Sequence, residues 1–143
     1  MGAGTWKPPD LSGRVVVHGP LPAERVAGMY AAADVFVLPS RREPYGTVFG
    51  EAMAAGLPLV GVAAGNLANL ATHGVEALVV PVGDAGALSD ALRRVCSDDA
   101  ARARMGEAAR ARGASLPTWE ASAEHFFELL RRVAGSGRLP EDG

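Results

Sequence analysis

The sequence has a single cysteine, Cys96, among 143 residues, which excludes an intramolecular disulfide and any cysteine-only zinc cluster. Its three histidines, His18, His73 and His125, lie too far apart in the chain to suggest a ligand set, so neither a structural metal nor a metal cofactor is expected. No apolar run approaches the ~20 residues that a membrane-spanning helix needs. The opening stretch, Met1 to Pro9, lacks the apolar centre of a signal peptide. These absences together point to the cytoplasm. An excess of charge is also missing: 14 basic against 16 acidic residues leave a net charge of −2. With no basic face in view, nucleic acid is not an expected partner.

What is present is an ordinary soluble globular composition, 48% hydrophobic and 21% charged, in a chain of one domain's length. Segments of two periods alternate. Arg14–His18 is a β-branched run closed by Gly19-Pro20 and reads as a buried strand. Pro22 opens a helix with Val26, Met29, Tyr30 and Ala33 on one face. A strand at Val35–Leu38, a helix over Val48–Ala55 ended by Gly56, a strand at Pro58–Val62, a short helix near Leu67–Ala71 and a strand at Ala77–Val80 follow. Continuously apolar strands between helices mean that both sheet faces are covered, so the expected fold is α/β, with a Rossmann-like parallel sheet of four strands. The last third is helical. Asp84 caps a helix whose buried face carries Leu88, Leu92 and Val95, with Cys96 placed on the buried side. Asp98–Arg112 is rich in Ala and Arg with one large apolar anchor, Met105, and reads as weakly packed. Thr118 caps a third helix with an apolar stripe of Trp119, Ala123, Phe126, Phe127, Leu130 and Val133, expected to be core or interface. The expected organisation is a short flexible segment at 1–13, the domain at 14–134 and a flexible tail at 135–143.

The segment richest in chemistry is Glu43-Pro44-Tyr45-Gly46-Thr47-Val48-Phe49-Gly50-Glu51. It follows the tip of a strand, where open α/β sheets bind ligands, and opens a helix. Amides of Gly46, Thr47 and Val48 at a helix start favour an anion such as a pyrophosphate. Glycine at 46 lets the backbone approach a ligand closely. A carboxylate beside an anion site serves something other than the anion, and hydroxyl groups are the natural partner, because ionised oxygens accept two or more hydrogen bonds. Two readings stand on spacing alone: Glu43 and Glu51 grip hydroxyls at the two ends of a ligand, or Glu43 is a solvated acid beside Arg41 and Arg42 and Glu51 complements a helix dipole. Ser40 is a candidate for orienting the Glu43 loop. His18 reads as a packing residue, and His73 has no evident acid partner.

Three blocks carry a resemblance: Ala33-Asp34-Val35-Phe36-Val37-Leu38-Pro39-Ser40 with Glu43-Pro44-Tyr45-Gly46; Glu51-Ala52-Met53-Ala54-Ala55-Gly56-Leu57-Pro58; and Gly74 to Asp84. Together they resemble the signature of the group 1 (family 4) retaining glycosyltransferases of the GT-B fold, over about Arg14 to Val133. The resemblance implies a donor-binding C-terminal domain that takes a nucleotide diphosphate sugar and passes the sugar to an acceptor hydroxyl without a metal or other cofactor. Carried onto this sequence, it implies that Glu43 is the catalytic-site acid on the transferred sugar. Tyr45 and Gly46 would touch the sugar, Thr47 and Val48 the diphosphate and Glu51 the ribose, while the loop Gly19-Pro20-Leu21 would hold the base.

Two departures qualify that expectation. Gly65-Asn66-Leu67-Ala68-Asn69 stands where many members have Gly-Gly-x-Pro-Glu, so Asn66 either turns the chain or reaches a ligand. The acceptor domain and an Arg/Lys pair that neutralises the leaving diphosphate have no counterpart in this sequence, so the chain reads as a piece, nearly inactive alone. Any peripheral membrane association would belong to the missing part. Exposed edges of a partial sheet are expected to pair with a second copy. Two readings remain beside the enzyme: a nucleotide-sugar-binding module without turnover, and an interaction module built on the Trp119–Val133 helix.

Overall fold

The computed structural model describes residues 13–136. The expected flexible segments fall outside the described residues apart from Gly13, Gly135 and Ser136. The chain separates into two units, divided between Ala32 and Ala33.

In the first unit, helix α1 spans Ala23–Ala32. Pro22 sets its start, its carbonyl accepting from the Arg25 and Val26 amides at 3.0 and 3.1 Å. Val26 and Tyr30 are half-buried, whereas Met29 on the same stripe is exposed. The strand expected at Arg14–His18 does not form. This segment is non-helical and unladdered, and Val15, Val16 and Val17 are all exposed. β-branched residues suit a pleated, half-buried surface, but a ladder also needs a paired neighbour, and this run has no ladder partner among the described residues.

The second unit holds the sheet. Strands β1 (Phe36–Leu38), β2 (Leu59–Val62) and β3 (Ala77–Val80) are parallel in the order β1-β2-β3, with Phe36 opposite Leu59 and Leu59 opposite Ala77. The α/β class is as expected, with three strands instead of four. Every residue of the central β2 is buried, as its apolar sequence requires of a strand covered on both faces. The alternation divides the core. Val60, Val62, Leu78 and Val80 pack with Ala91, Val95 and Met105 on one face. On the other, Phe36 meets Phe49 edge to face at 6.0 Å, and Gly61 leaves room for Leu67, whose side chain a methyl group at Gly61 would meet at 2.5 Å. The edge strands have three and four residues, which limits the ladder a second copy could extend.

Helices α2 (Thr47–Ala54), α3 (Leu67–Leu70), α4 (Ala85–Ser97), α5 (Asp99–Ala114) and α6 (Trp119–Ser136) complete the unit. Their boundaries follow from caps. Asp84 accepts from the Ala87 amide and Asp98 from the Ala101 amide, each at 2.8 Å, and Thr118 Oγ1 accepts from Ala121 at 3.2 Å. Gly56, at φ 79°, closes α2: its amide donates to Met53 and the Leu57 amide to Ala52, at 2.8 and 3.0 Å. That pair of bonds is a Schellman motif.

Helix α5 corrects the expectation of weak packing. A methyl group at Gly106 would come within 2.6 Å of the Gly56 carbonyl oxygen, and one at Gly113 within 2.8 Å of the Ala54 amide nitrogen. Ala109, between them, is fully buried. Glycine and alanine at i, i+3 and i+7 thus let α5 lie directly on the backbone of α2. Its arginines extend the contact. Arg110 donates to Ala55 O at the end of α2 (3.0 Å), Arg112 to Leu70 O at the end of α3 (2.9 Å), and Arg102 to Val95 O and Cys96 O at the end of α4 (3.3 and 3.4 Å). Each places positive charge where helix carbonyls lack partners. Cys96 itself is exposed, not buried as expected, because Ala91 and Val95 take the inward positions of α4. The apolar stripe of α6 is likewise exposed, from Trp119 through Phe126, Phe127 and Leu130 to Val133.

Gly113→Ala is expected to lower the unfolding free energy by about 1–3 kcal/mol, the usual cost of overpacking against atoms that cannot move aside. This outweighs the up to ~1 kcal/mol that alanine gains over glycine in helix propensity. Gly135→Ala, with nothing within 4 Å, should be neutral or slightly stabilising. Urea denaturation of the two variants checks the contrast, and equal effects would remove the close-approach account of α5.

Candidate functional site

Because the three strands are parallel, the loops after β1, β2 and β3 emerge at one edge of the sheet, the carboxyl edge where such sheets bind ligands. Contacts among those loops are direct. A methyl group at Gly83, beyond β3, would meet Arg41, beyond β1, at 3.2 Å, and Gly65, beyond β2, packs on the Glu43 carbonyl so tightly that no methyl group would fit.

Within this edge the segment 43–51 makes a turn and then α2. Gly46 has φ 70° and ψ 29°, a left-handed conformation in which an L side chain is strained, and a methyl group there would meet Leu70 Cδ1 at 2.9 Å and Phe49 Cδ2 at 3.0 Å. Glycine is therefore required by the turn itself. The Glu43 carboxylate turns back to accept from the Gly46 amide at 3.3 Å, so the acid is tethered to the helix start and is not a loose surface charge. The Gly46 carbonyl accepts from Phe49 and Gly50 at 2.9 and 3.3 Å. Thr47 and Val48 are the first two helical residues, and their amides belong to the group that an α-helix leaves without intrahelical acceptors. Glu51 is exposed at the start of the second turn of α2. Tyr45 is 82% exposed, so its backbone and not its ring is built into the turn.

An open cleft of about 490 Å³ lies against this helix start, lined by Tyr45, Gly46, Thr47, Gly50 and Glu51 on one side and by Leu116, Pro117, Thr118 and Trp119 on the other. Glu43 and Val48 are not among its lining residues. In the sequence Thr118 and Trp119 read as a cap and the start of an apolar stripe, and nothing marked residues 116–119 as the wall of a cleft, since its position depends on how α5 lies on α2. Of the remaining candidates, Gly19 is left-handed at φ 65° and Leu21 half-buried, both in the first unit. Ser40 Oγ accepts from the Arg42 amide at 3.3 Å and so serves its own turn. His18 is exposed, which excludes the packing role expected of it. His73 Nδ1 accepts from the Val79 amide at 3.0 Å. Among the described residues no group of three or more His, Cys, Asp or Glu is placed to hold a metal ion, and no helix is long and apolar enough to cross a membrane.

The open role of Asn66 is decided by its contacts. Its backbone amide donates to Glu43 O at 3.2 Å and its side-chain Nδ2 to Tyr45 O at 3.0 Å, while its Oδ1 accepts from Asn69 Nδ2 at 3.0 Å. Asn66 does not adopt a left-handed conformation, having φ −92°; Gly65, at φ 61°, makes the turn.

Residues 9–112 match the family model described as glycosyl transferases group 1. The chain belongs to the group 1 glycosyltransferases. A D-inositol 3-phosphate glycosyltransferase of Xylanimonas cellulosilytica is 39% identical over 120 residues, which cover 84% of this chain and 28% of that protein. Among solved structures, a sucrose-phosphate synthase of Thermosynechococcus elongatus superposes with a TM-score of 0.80 at 37% identity, over 89% of this chain and 32% of that one. Anabaena HepE in complex with UDP superposes with a TM-score of 0.67 at 27% identity, over 73% and 29% respectively. The chain thus spans under a third of the length of each of these three proteins, and it shares the α/β architecture of the two solved structures.

Two outcomes test the local geometry. Gly46→Ala should destabilise the unit by about 1–3 kcal/mol through the left-handed backbone and the Leu70 contact, measured by thermal unfolding. Glu120, at the start of α6, has its carboxyl held below the usual range by hydrogen bonds to its own backbone amide and to Thr118. A lowered folded-state pKa contributes stability that is present above the unfolded value and lost as the pH falls through the folded one. Thr118→Ala should let the Glu120 pKa rise, followed by NMR titration; an unchanged titration would remove Thr118 as a cause.

Proposed function

We propose that the second unit is the donor-binding part of a retaining transferase of family 4, which moves a sugar from a nucleotide diphosphate sugar to an acceptor hydroxyl. The observation that carries this reading is the left-handed turn at Gly46, which ties the Glu43 carboxylate to the same helix start that presents the Thr47 and Val48 amides. Those amides and the dipole of α2 would meet the negative charge of the diphosphate. Glu51, one turn further along the exposed side of α2, would accept from the ribose hydroxyls. Glu43 spends one carboxylate oxygen on Gly46 and would offer the other to hydroxyls of the transferred sugar. The UDP bound to HepE supports a nucleotide as the shared ligand. A cytoplasmic site of action belongs to the same proposal.

The chemistry follows from where charge develops. As the anomeric C–O bond breaks, its electrons pass to the leaving diphosphate, and preorganised amides stabilise that charge without reorganising. In this reading the departing diphosphate oxygen takes the proton of the acceptor hydroxyl, whose oxygen bonds to the anomeric carbon on the face the diphosphate leaves. Glu43 would hold the sugar and favour positive character at that carbon, without forming a bond to it. Amides of this unit, together with the Arg/Lys pair that the resemblance implies elsewhere in such an enzyme and without a metal ion, would carry the charge of the diphosphate.

Isothermal titration of this chain with UDP, GDP, ADP and their hexose conjugates tests the assignment. Glu51→Ala is expected to weaken the bare nucleotide by about 1.5–3 kcal/mol, the worth of charge-assisted hydrogen bonds. Glu43→Ala should spare the bare diphosphate and weaken only the sugar-bearing ligand. Equal losses for both ligands in Glu43→Ala would sink the division of roles, and unchanged binding in Glu51→Ala would remove that residue from the site.

A further inference from the structure

The loop between β2 and α3, together with α3 itself, lies against the backbone of the Glu43–Gly46 turn, although none of their side chains is assigned to the donor. Its contacts form a directed chain. Asn69 Nδ2 donates to Asn66 Oδ1 at 3.0 Å, and Asn66 Nδ2 donates to Tyr45 O at 3.0 Å. Two residues before Tyr45, the Glu43 carbonyl accepts from the Asn66 backbone amide at 3.2 Å, and Gly65 packs on the same carbonyl. From below, Leu70 presses on Gly46. A side-chain amide has one acceptor end and one donor end. Once Asn69 donates to the oxygen of Asn66, the nitrogen must face Tyr45. Turned over, Asn66 would set its oxygen against the Tyr45 carbonyl, two acceptors with no proton between them.

We propose that Asn69 and Asn66 are positioning residues, a two-amide relay that fixes the Tyr45–Gly46 peptide and with it the Glu43 carboxylate, and so governs affinity for the sugar end of a nucleotide sugar. The inference rests on the donor-site reading above. It makes a chemical demand at position 69: the residue must donate. A carboxylate cannot, although aspartate has the size and shape of asparagine. Asn69→Asp therefore removes the donor without removing the volume, and separates positioning from space filling. Asn69→Ala removes the donor without adding charge.

Two measurements on the whole chain decide the matter. The first is calorimetry with UDP, UDP-glucose, GDP and GDP-mannose. Asn69→Asp and Asn69→Ala are both expected to weaken the sugar nucleotide by roughly tenfold, the equivalent of about one net hydrogen bond, while the affinity for the bare diphosphate changes by less than about twofold. The second needs no ligand. Hydrogen exchange at the Gly46 and Asn66 amides should accelerate by about tenfold in both variants, from the loss of about one net hydrogen bond, with the Gly56 and Leu57 amides at the far end of α2 unchanged.

Loss of bare diphosphate and sugar nucleotide alike in Asn69→Asp, with none in Asn69→Ala, would mean charge repulsion and overturn the relay. Wild-type affinities retained in both variants, or unaltered exchange at Gly46 and Asn66, would overturn it as well. If the unaltered chain binds none of the four ligands, the donor-site reading fails and the effect on the sugar end fails with it. Binding by the unaltered chain that ignores Asn69 sinks the relay alone.

Discussion

The close approach of α5 to α2 is the constraint on which the second unit depends. Two helix backbones can come this near only where side chains are absent or minimal, and Gly106, Ala109 and Gly113 provide that stripe against Gly56, Met53 and Ala54. With the helices so close, arginines that would otherwise point into solvent reach the carbonyl ends of other helices. Arg110 closes α2, Arg112 closes α3 and Arg102 closes α4. Exposed contacts of a cation with a helix end contribute only about 0.3–1 kcal/mol each. Their weight here is geometric: one helix fixes the ends of three others, and two of those, α2 and α3, carry the turn and the loop of the candidate site.

The same constraint builds the cleft. After α5 ends at Ala114, the chain passes through Leu116 and Pro117 to Thr118, which caps α6. Where α5 lies on α2, this connection has to run past Gly50 and Glu51, and it supplies the second wall of the cavity. The site is therefore made of one element that reads as functional in the sequence, the segment 43–51, and one that reads only as a connection and a helix cap, 116–119. That second element owes its place to packing behind it.

Much of the sheet was legible because its physics is local. Four-residue apolar runs such as Leu59–Val62, just after Pro58, and Ala77–Val80, just before Pro81, can bury both faces, and β2 and β3 formed there. Asp84, Thr118 and Gly56 announced helix ends by side-chain or backbone chemistry that does not depend on the rest of the fold. Arg14–His18 shows the limit of the same logic, since three consecutive valines describe a suitable strand but cannot supply its neighbour. Cys96 was misplaced by one position on a helix face. The failure at α5 is the most instructive. Sequence patterns report large apolar side chains, whereas α5 packs through their absence, and a glycine's value as a contact exists only when the opposing backbone is known.

Asn66 and Asn69 sit between these cases. Their spacing of three on a helix start permits the hydrogen bond they make, but nothing in it says which backbone the outer amide meets. That depends on β1 and β2 lying side by side in parallel register, which brings the loop after one against the loop after the other. Glu43 then receives order from two directions: its carboxylate is held by Gly46 ahead in the chain, and its carbonyl by Asn66 from the neighbouring loop. A carboxylate on a freely moving loop would lose conformational freedom with every ligand it gripped. Held at both of its hydrogen-bonding ends, Glu43 has already given up much of that freedom in folding, so in the proposed donor site it would grip a hydroxyl at a lower entropic cost.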